Sequence, residues 1–187
     1  MMAVTARRAV GFTMVVAGLT ALCWCVVVLT RAEYLRVEQR FTLPAIEVAP
    51  GRGQPLGIIE LPRLHLSSVV VEGDDSSSLL VAAAHLSDTP LPWQRGNTVL
   101  AGHRDTDFRP LRGVRAGDVI HFLTADARFD YVVTDTRIVG PTDVSVLRAS
   151  TEPTLTLITC YPFNFVGPAP RRFVVRADRI ADRVPSG

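Results

Sequence analysis

A chain of 187 residues has room for one ordinary domain and an appendage. Its net charge of +2 gives no basis for a nucleic-acid partner, and because all 20 basic side chains are Arg, lysine Schiff-base or lysine-nucleophile chemistry is excluded. Of the three cysteines, Cys23 and Cys25 sit in an apolar run, so Cys160 is alone in the remainder, which therefore has neither an internal disulfide nor a thiolate zinc cluster.

The apolar run Ala9–Thr30 contains no charged residue, with Arg7 and Arg8 before it and Arg31 after it. About 20 apolar residues suffice to cross a bilayer as a helix, whereas the apolar region of a cleaved secretory signal is usually about 7–15 residues. The run also ends without a small-x-small cleavage site, so a single transmembrane helix over residues 9–30 is expected, with the lipid bilayer as its partner. Arg7 and Arg8 favour an inside N-terminus, a bias weakened by Arg31, Arg36 and Arg40 on the far side. Residues 1–40 are thus read as cytoplasmic tip, anchor and extension. Residues 41–55, with Pro44, Pro50, Pro55, Gly51 and Gly53, read as a linker, and residues 56–187 as the globular domain.

From Leu56 onward, short β-type runs alternate with Gly, Pro and Asp. Strands are predicted at Gly57–Leu61, Ser67–Glu72, Asn97–Gly102, Asp118–Leu123, Phe129–Val139, Thr154–Thr159 and Arg172–Asp178. Asp74 and Asp75 ahead of the Leu- and Ala-rich Ser76–Leu86 predict a helix, with His85 at its end. Many short strands suggest an all-β sandwich or barrel, and closure into a barrel removes exposed edges. Period-two alternation puts Leu155 and Leu157 on one strand face and Thr156, Ile158 and Cys160 on the other. In the last strand Phe173, Val175 and Ala177 oppose Arg172, Val174 and Arg176. If the interior takes Leu155, Leu157, Phe173 and Val175, then Cys160 and Arg172 both project outward. They meet only if the two strands are neighbours.

Cys160 ends a strand just before Tyr161-Pro162. A lone cysteine is ordinarily an inert buried side chain, and nucleophilic use needs a cationic or basic neighbour. Among His65, His85, His103 and His121, the best placed is His103, which closes the strand Asn97–Gly102 and enters the polar loop Arg104–Asp107. His121 alternates within a strand and reads as structural. Asp105 or Asp107 could orient His103. No acidic loop of calcium-ligand spacing occurs, so neither metal nor cofactor is expected.

Thr156-Leu157-Ile158-Thr159-Cys160 resembles the TLxTC signature of sortases. Asn97–Leu111 (NTVLAGHRDTDFRPL) resembles their histidine strand and loop, and Arg172–Ala177 their arginine strand. Cys160-Tyr161-Pro162-Phe163 and the GHRDT run look most like class D of that family, and the similarity covers Leu56 to Ile180 in the family's motif order. The resemblance implies a closed sortase-type β-barrel of about eight strands with one or two short helices. It implies Cys160 as nucleophile, His103 as proton carrier and Arg172 as oxyanion stabiliser, with Thr159, Ile158 and Val174 at the substrate. Spacing alone does not separate Arg171 from Arg172, but the register through Val175 and Ala177 favours Arg172. His85 matches a histidine that precedes a proline-rich loop in relatives, although Ala82, Ala83 and Ala84 stand where relatives tend to carry glycine. The implied activity is cysteine transpeptidation at an extracytoplasmic face of the cell membrane. The implied substrate is a secreted protein with a C-terminal LPxTG-like sorting motif, and the implied acceptor is an amine of a cell-wall or surface molecule. Hydrolysis of the same motif, or a non-catalytic binding barrel, are the alternatives.

Overall fold

The computed structural model describes residues 14, 17–28, 50–73, 79, 82–165 and 167–183. Eight strands close into one barrel: β1 (Pro55–Leu61), β2 (Leu66–Glu72), β3 (Ala83–His85), β4 (Asn97–Ala101), β5 (Val119–Leu123), β6 (Arg128–Val139), β7 (Thr154–Tyr161) and β8 (Arg171–Arg183). The order around the barrel is β1-β2-β3-β4-β7-β8-β6-β5. Every strand ladder is antiparallel except β2/β3 and β4/β7. Short 3-10 helices sit at Pro62–Leu64, Arg109–Gly113 and Val144–Leu147.

Alternation builds the interior. Leu56, Ile59, Leu100, Phe122, Leu155 and Val175 are fully buried in one core, joined by Leu157, Tyr131 and Ala177. Each such aliphatic or aromatic side chain contributes about 1.5–3 kcal/mol by leaving water. Tyr131 is buried, and its hydroxyl finds a partner by donating to Pro92 O at 2.9 Å, fastening the β3–β4 loop to the core.

Seven strands fall where alternation predicts them. The eighth corrects the helix expected over 76–86. Residues 74–78, 80 and 81 lie outside the described residues and Leu79 is helical, but Ala83–His85 is strand β3. It bridges β2 in parallel (Val70↔Ala83) and β4 in antiparallel (His85↔Leu100). The alanines that favour helix locally are small enough to lie fully buried between two strands, and this bridging joins β2 to β4. His85 therefore ends a strand, not a helix. Of the expected membrane helix, 17–28 is helical with Leu19, Leu22, Trp24 and Val27 exposed, while the rest of the apolar run is largely outside the described residues. Among the described residues no helix is long and apolar enough to cross a membrane.

Two buried carboxylates brace the outer surface. The Arg63 guanidinium hydrogen-bonded to Asp118 holds that carboxyl below the usual carboxylate range, aided by the Arg115 backbone N–H at 2.9 Å. Burial pushes Asp130 upward, but Arg128 (2.6 Å) and His121 (2.6 Å) outweigh it, and the net direction is also down. The unfolded chain titrates near about 3.9, so each carboxyl adds stability that is present above that value and lost as pH falls through the lower folded one. We expect the urea midpoint of the full chain to hold from about pH 7 to pH 5 and to fall through pH 4 and below. In Asp118→Asn the midpoint should be lower at pH 7 and its acid decline shallower. An unchanged pH profile would show that the Arg63 pairing carries no linked stability.

Candidate active site

The parallel register of β4 on β7 runs Thr98↔Leu155 through Ala101↔Ile158. It continues past the end of β4, where Gly102 N donates to Ile158 O at 3.1 Å and Thr159 Oγ1 donates to Gly102 O at 2.7 Å. The next residue is His103, which is exposed and enters the loop at the rim where β4 ends. On the other flank of β7 the antiparallel register places Cys160 directly opposite Arg172. Opposed residues in such a ladder have Cα atoms about 4.5–5.5 Å apart and side chains on the same face. Leu155, Leu157 and Val175 point inward, so Cys160 and Arg172 share the outer face, as alternation requires. Cys160 is a free, partly exposed thiol.

The same register separates the two arginines. Arg171 opposes Tyr161 and stacks its guanidinium 5.6 Å from that ring's centre. Tyr161 in turn belongs to an aromatic group with Phe163 (6.0 Å) and Phe173 (6.3 Å). Arg172 Nη1 donates to Ala169 O at 3.2 Å and Arg171 O at 3.1 Å. Among the described residues nothing takes its Nε or Nη2 donors, and no carboxylate pairs with it.

The loop after His103 is shaped from within. A Cβ on Gly102 would come 2.7 Å from the ring of Phe108, which is fully buried, so only glycine lets the chain turn over that ring. Phe108 N closes the loop onto His103 O at 2.9 Å. Ser68 Oγ donates to Asp107 at 2.8 Å, tying the loop to β2. Arg104 reaches across to the β7–β8 loop, donating to Phe165 O at 2.6 Å and Gly167 O at 3.0 Å. Asp105 is exposed, and among the described residues no hydrogen bond joins it to His103.

A groove of about 200 Å³ opens on the outer face of β7 and β8, walled by Leu86, Val144, Val146, Leu147, Ile158 and Arg172. Its wall segment, 140–148, is held by Asn97, whose Nδ2 donates to Val146 O and Arg148 O, both at 3.1 Å. Thr156 Oγ1 donates to Asn97 Oδ1 at 2.7 Å and so fixes the amide from β7. Ile158 therefore lies on the groove floor. Val174, opposite Ile158 in the ladder, is 1% exposed, and Thr159 is 2% exposed with its hydroxyl spent on Gly102. Asn97 and the 144–147 wall escaped sequence reasoning. An uncharged Asn at a strand start and a Val/Leu-rich turn carry no distinctive signal, although three apolar residues in a short non-alternating segment could have been noted.

Gly102→Ala should destabilise by about 1–3 kcal/mol through overpacking against Phe108. It should also cut turnover at least about tenfold, because His103 is displaced with the loop. Thermal melts and steady-state rates of the full chain check both, and a variant with wild-type rates would contradict this account of how His103 is placed.

Comparison with known proteins points one way. The family model of the sortase domain matches residues 59–180. The chain is 37% identical over 132 residues to sortase D of Bacillus subtilis (strain 168), covering 70% of this chain and 67% of that protein. It is 31% identical over 109 residues to sortase A of Listeria monocytogenes, covering 56% of this chain and about half (49%) of that protein. Among solved structures, a Clostridium perfringens sortase D5 transpeptidase superposes with a TM-score of 0.64 at 27% identity, covering 71% of this chain and 83% of that one. With its barrel closed in the same way, this chain belongs to the sortase family, whose members are cysteine transpeptidases acting on sorting signals.

Proposed function

We propose that the chain is a membrane-anchored transpeptidase that cleaves an LPxTG-like sorting signal near the C-terminus of a secreted protein and passes the acyl group to an amine of a cell-wall or surface acceptor. The observation that carries this reading is the register of β7: Cys160 lies opposite Arg172 on one side, and on the other Ile158 and Thr159 hold Gly102, the residue that leads into His103. Cys160 thiolate attacks the scissile carbonyl carbon, and the carbonyl π electrons move to oxygen. Arg172, whose Nε and Nη2 donors are taken by none of the described residues, offers N–H donors to that oxyanion. His103, as imidazolium, protonates the departing amine as the C–N bond breaks and the thioester forms. The acceptor amine then attacks the thioester, neutral His103 takes its proton, and the thiolate leaves. Water in the acceptor's place gives hydrolysis.

The groove supports the substrate class. Its wall presents Val144, which is 73% exposed, and Leu147 above a floor of Ile158, a surface suited to an aliphatic side chain of an extended peptide. Thr159 serves such a peptide from beneath, by holding Gly102 to β7, and Val174 does so by packing opposite Ile158 in the ladder that forms the floor. Residues 9–30 anchor the chain in the bilayer. The helical 17–28 supports this with apolar side chains turned to the surroundings, and residues 41–55 connect it to a catalytic domain over 56–187 outside the membrane. The absence of a second cysteine beside Cys160 keeps its thiol out of a disulfide in an oxidising compartment.

The full chain in detergent, given a panel of sorting-motif peptides and an amine acceptor, should yield both cleavage and a ligated product. Cys160→Ala should abolish both. Arg172→Lys should lower kcat by about 10²–10³, as loss of a preorganised oxyanion donor does. Arg171→Ala should change it by less than about threefold. Neither cleavage nor transfer by wild type, or equal activity in Cys160→Ala, would sink the assignment, while cleavage without ligation at high amine concentration would leave hydrolysis.

Deletion of residues 1–40 should release the protein from alkali-washed membranes; retention of the truncated chain would refute the anchor.

A further inference from the structure

His85 is almost completely buried, yet it lies outside the reaction just described. Its Nδ1 stands 2.7 Å from Glu72 Oε2, and its Nε2 stands 3.1 Å from both Pro90 O and Thr89 Oγ1. A carbonyl oxygen can only accept. The single hydroxyl proton of Thr89 is already donated to Leu86 O at 2.8 Å, so toward His85 that oxygen can only accept as well. Nε2 must therefore carry a proton, and another proton lies between Nδ1 and Glu72. The pair therefore holds two protons, as an imidazolium beside a carboxylate or as an Nε2–H imidazole accepting from a protonated Glu72, and in either form Nε2 donates to the loop.

The contacts converge on Leu86. Its N donates to Val99 O at 3.0 Å, and its carbonyl accepts from Thr89 N at 2.9 Å and from the Thr89 hydroxyl. That hydroxyl also receives Val99 N–H at 3.1 Å. Thr89 is thus a node linking His85, Leu86 and strand β4. Close packing does not hold the loop here, because a cavity of about 210 Å³ adjoins the pair, lined by Ser87, Thr89, Leu91 and Gln94. Leu86 leaves this node to form one wall of the groove beside Ile158 and Arg172.

We infer that His85 and Glu72 are positioning residues for substrate recognition: the pair locks the loop over residues 86–96 through the Nε2 proton and so sets Leu86 as a wall of the peptide groove. The groove's role rests on the transpeptidase reading above, whereas the lock itself does not. Neither residue touches the reacting atoms, so the pair acts on peptide binding rather than on bond making.

The test replaces both partners together, Glu72→Leu with His85→Phe. Apolar groups of similar shape in place of both partners of a buried hydrogen bond can be nearly neutral for the fold, whereas removing one partner leaves the other buried and unsatisfied. In the full chain in detergent, amide hydrogen exchange at Leu86, Thr89 and Gln94 should accelerate at least about tenfold. KM for a cleaved sorting peptide should rise about tenfold with kcat within about twofold. Unchanged exchange, unchanged KM despite faster exchange, or a fall confined to kcat would each overturn the proposal. A wild-type measurement stands apart from whether the variant folds. Long-range ¹⁵N spectra should show Nε2 of His85 protonated at pH 7, and a bare Nε2 would break both loop bonds and overturn the lock. Should wild type turn over no sorting peptide, the functional reading falls, and the exchange and ¹⁵N results still decide the lock.

Discussion

The parallel pairing of β4 with β7 is the constraint on which the rest of the molecule depends. Parallel strands end at the same rim, so the residue that follows β4 and the residue that closes β7 emerge together although the sequence separates them widely. A hairpin cannot make such a pair; parallel neighbours need a crossover of a dozen residues or more. Here the crossover is long enough to contain β5, β6 and the 140–148 segment. It completes the barrel on its far side and returns across the outer face as the groove wall. Antiparallel β8 then starts where β7 ends, which adds Arg172 to the rim without any further long connection.

Two kinds of force hold this junction. Inside, Leu100, Leu155, Leu157 and Val175 are fully buried and fix which face of each strand points inward. A slip of one residue would turn Cys160 into the core, so hydrophobic patterning keeps its thiol on the outer face. Outside, polar side chains span elements that burial alone would leave free to slide: Asn97 to the 140–148 wall, Thr156 to Asn97, Thr159 to Gly102. Each such bond nets only about 0.5–1.5 kcal/mol, but leaving one of these buried groups unpaired costs about 1–3 kcal/mol. Their effect is therefore less to stabilise the fold than to exclude nearby arrangements in which the rim residues would be misaligned.

Alternation made most of the barrel legible, because period two is both the sequence signal and the rule for which side chains enter the core. It also gave the facing of Cys160 and Arg172, needing from the structure only that β7 and β8 be neighbours. The helix over 76–86 failed at its end for a definite reason. Ala82, Ala83 and Ala84 favour helix by local propensity, but tertiary demand for a narrow bridging strand overrides it. His85 was consequently read at a helix end, and its partners Glu72 and Pro90 could not be named. Thr159 and Val174 were legible as neighbours of the site but not as buried ones. Asn97 was invisible as a brace, since what it holds, Val146 O and Arg148 O, is backbone and leaves no side-chain pattern.

The surroundings of Arg172 bear on why an arginine at this position serves the proposed chemistry. Three guanidinium groups elsewhere on the barrel face carboxylates: Arg63 with Asp118, Arg95 with Glu152, Arg128 with Asp130. Such pairing spends the positive charge locally. Arg172 is held by carbonyl oxygens alone, through Nη1, so its orientation is set while its charge stays uncompensated among the described residues. A carbonyl anchor costs the cation no reorganisation when negative charge develops nearby, and preorganisation of that kind is what makes a donor effective toward a transition state. A carboxylate in place of Ala169 O would hold the side chain as firmly and would weaken the field it projects toward Cys160. In the proposed reaction the opposition of residues 160 and 172 in a single ladder sets the attacking sulfur beside the cation that receives the negative charge, so that register matters more than either side chain alone.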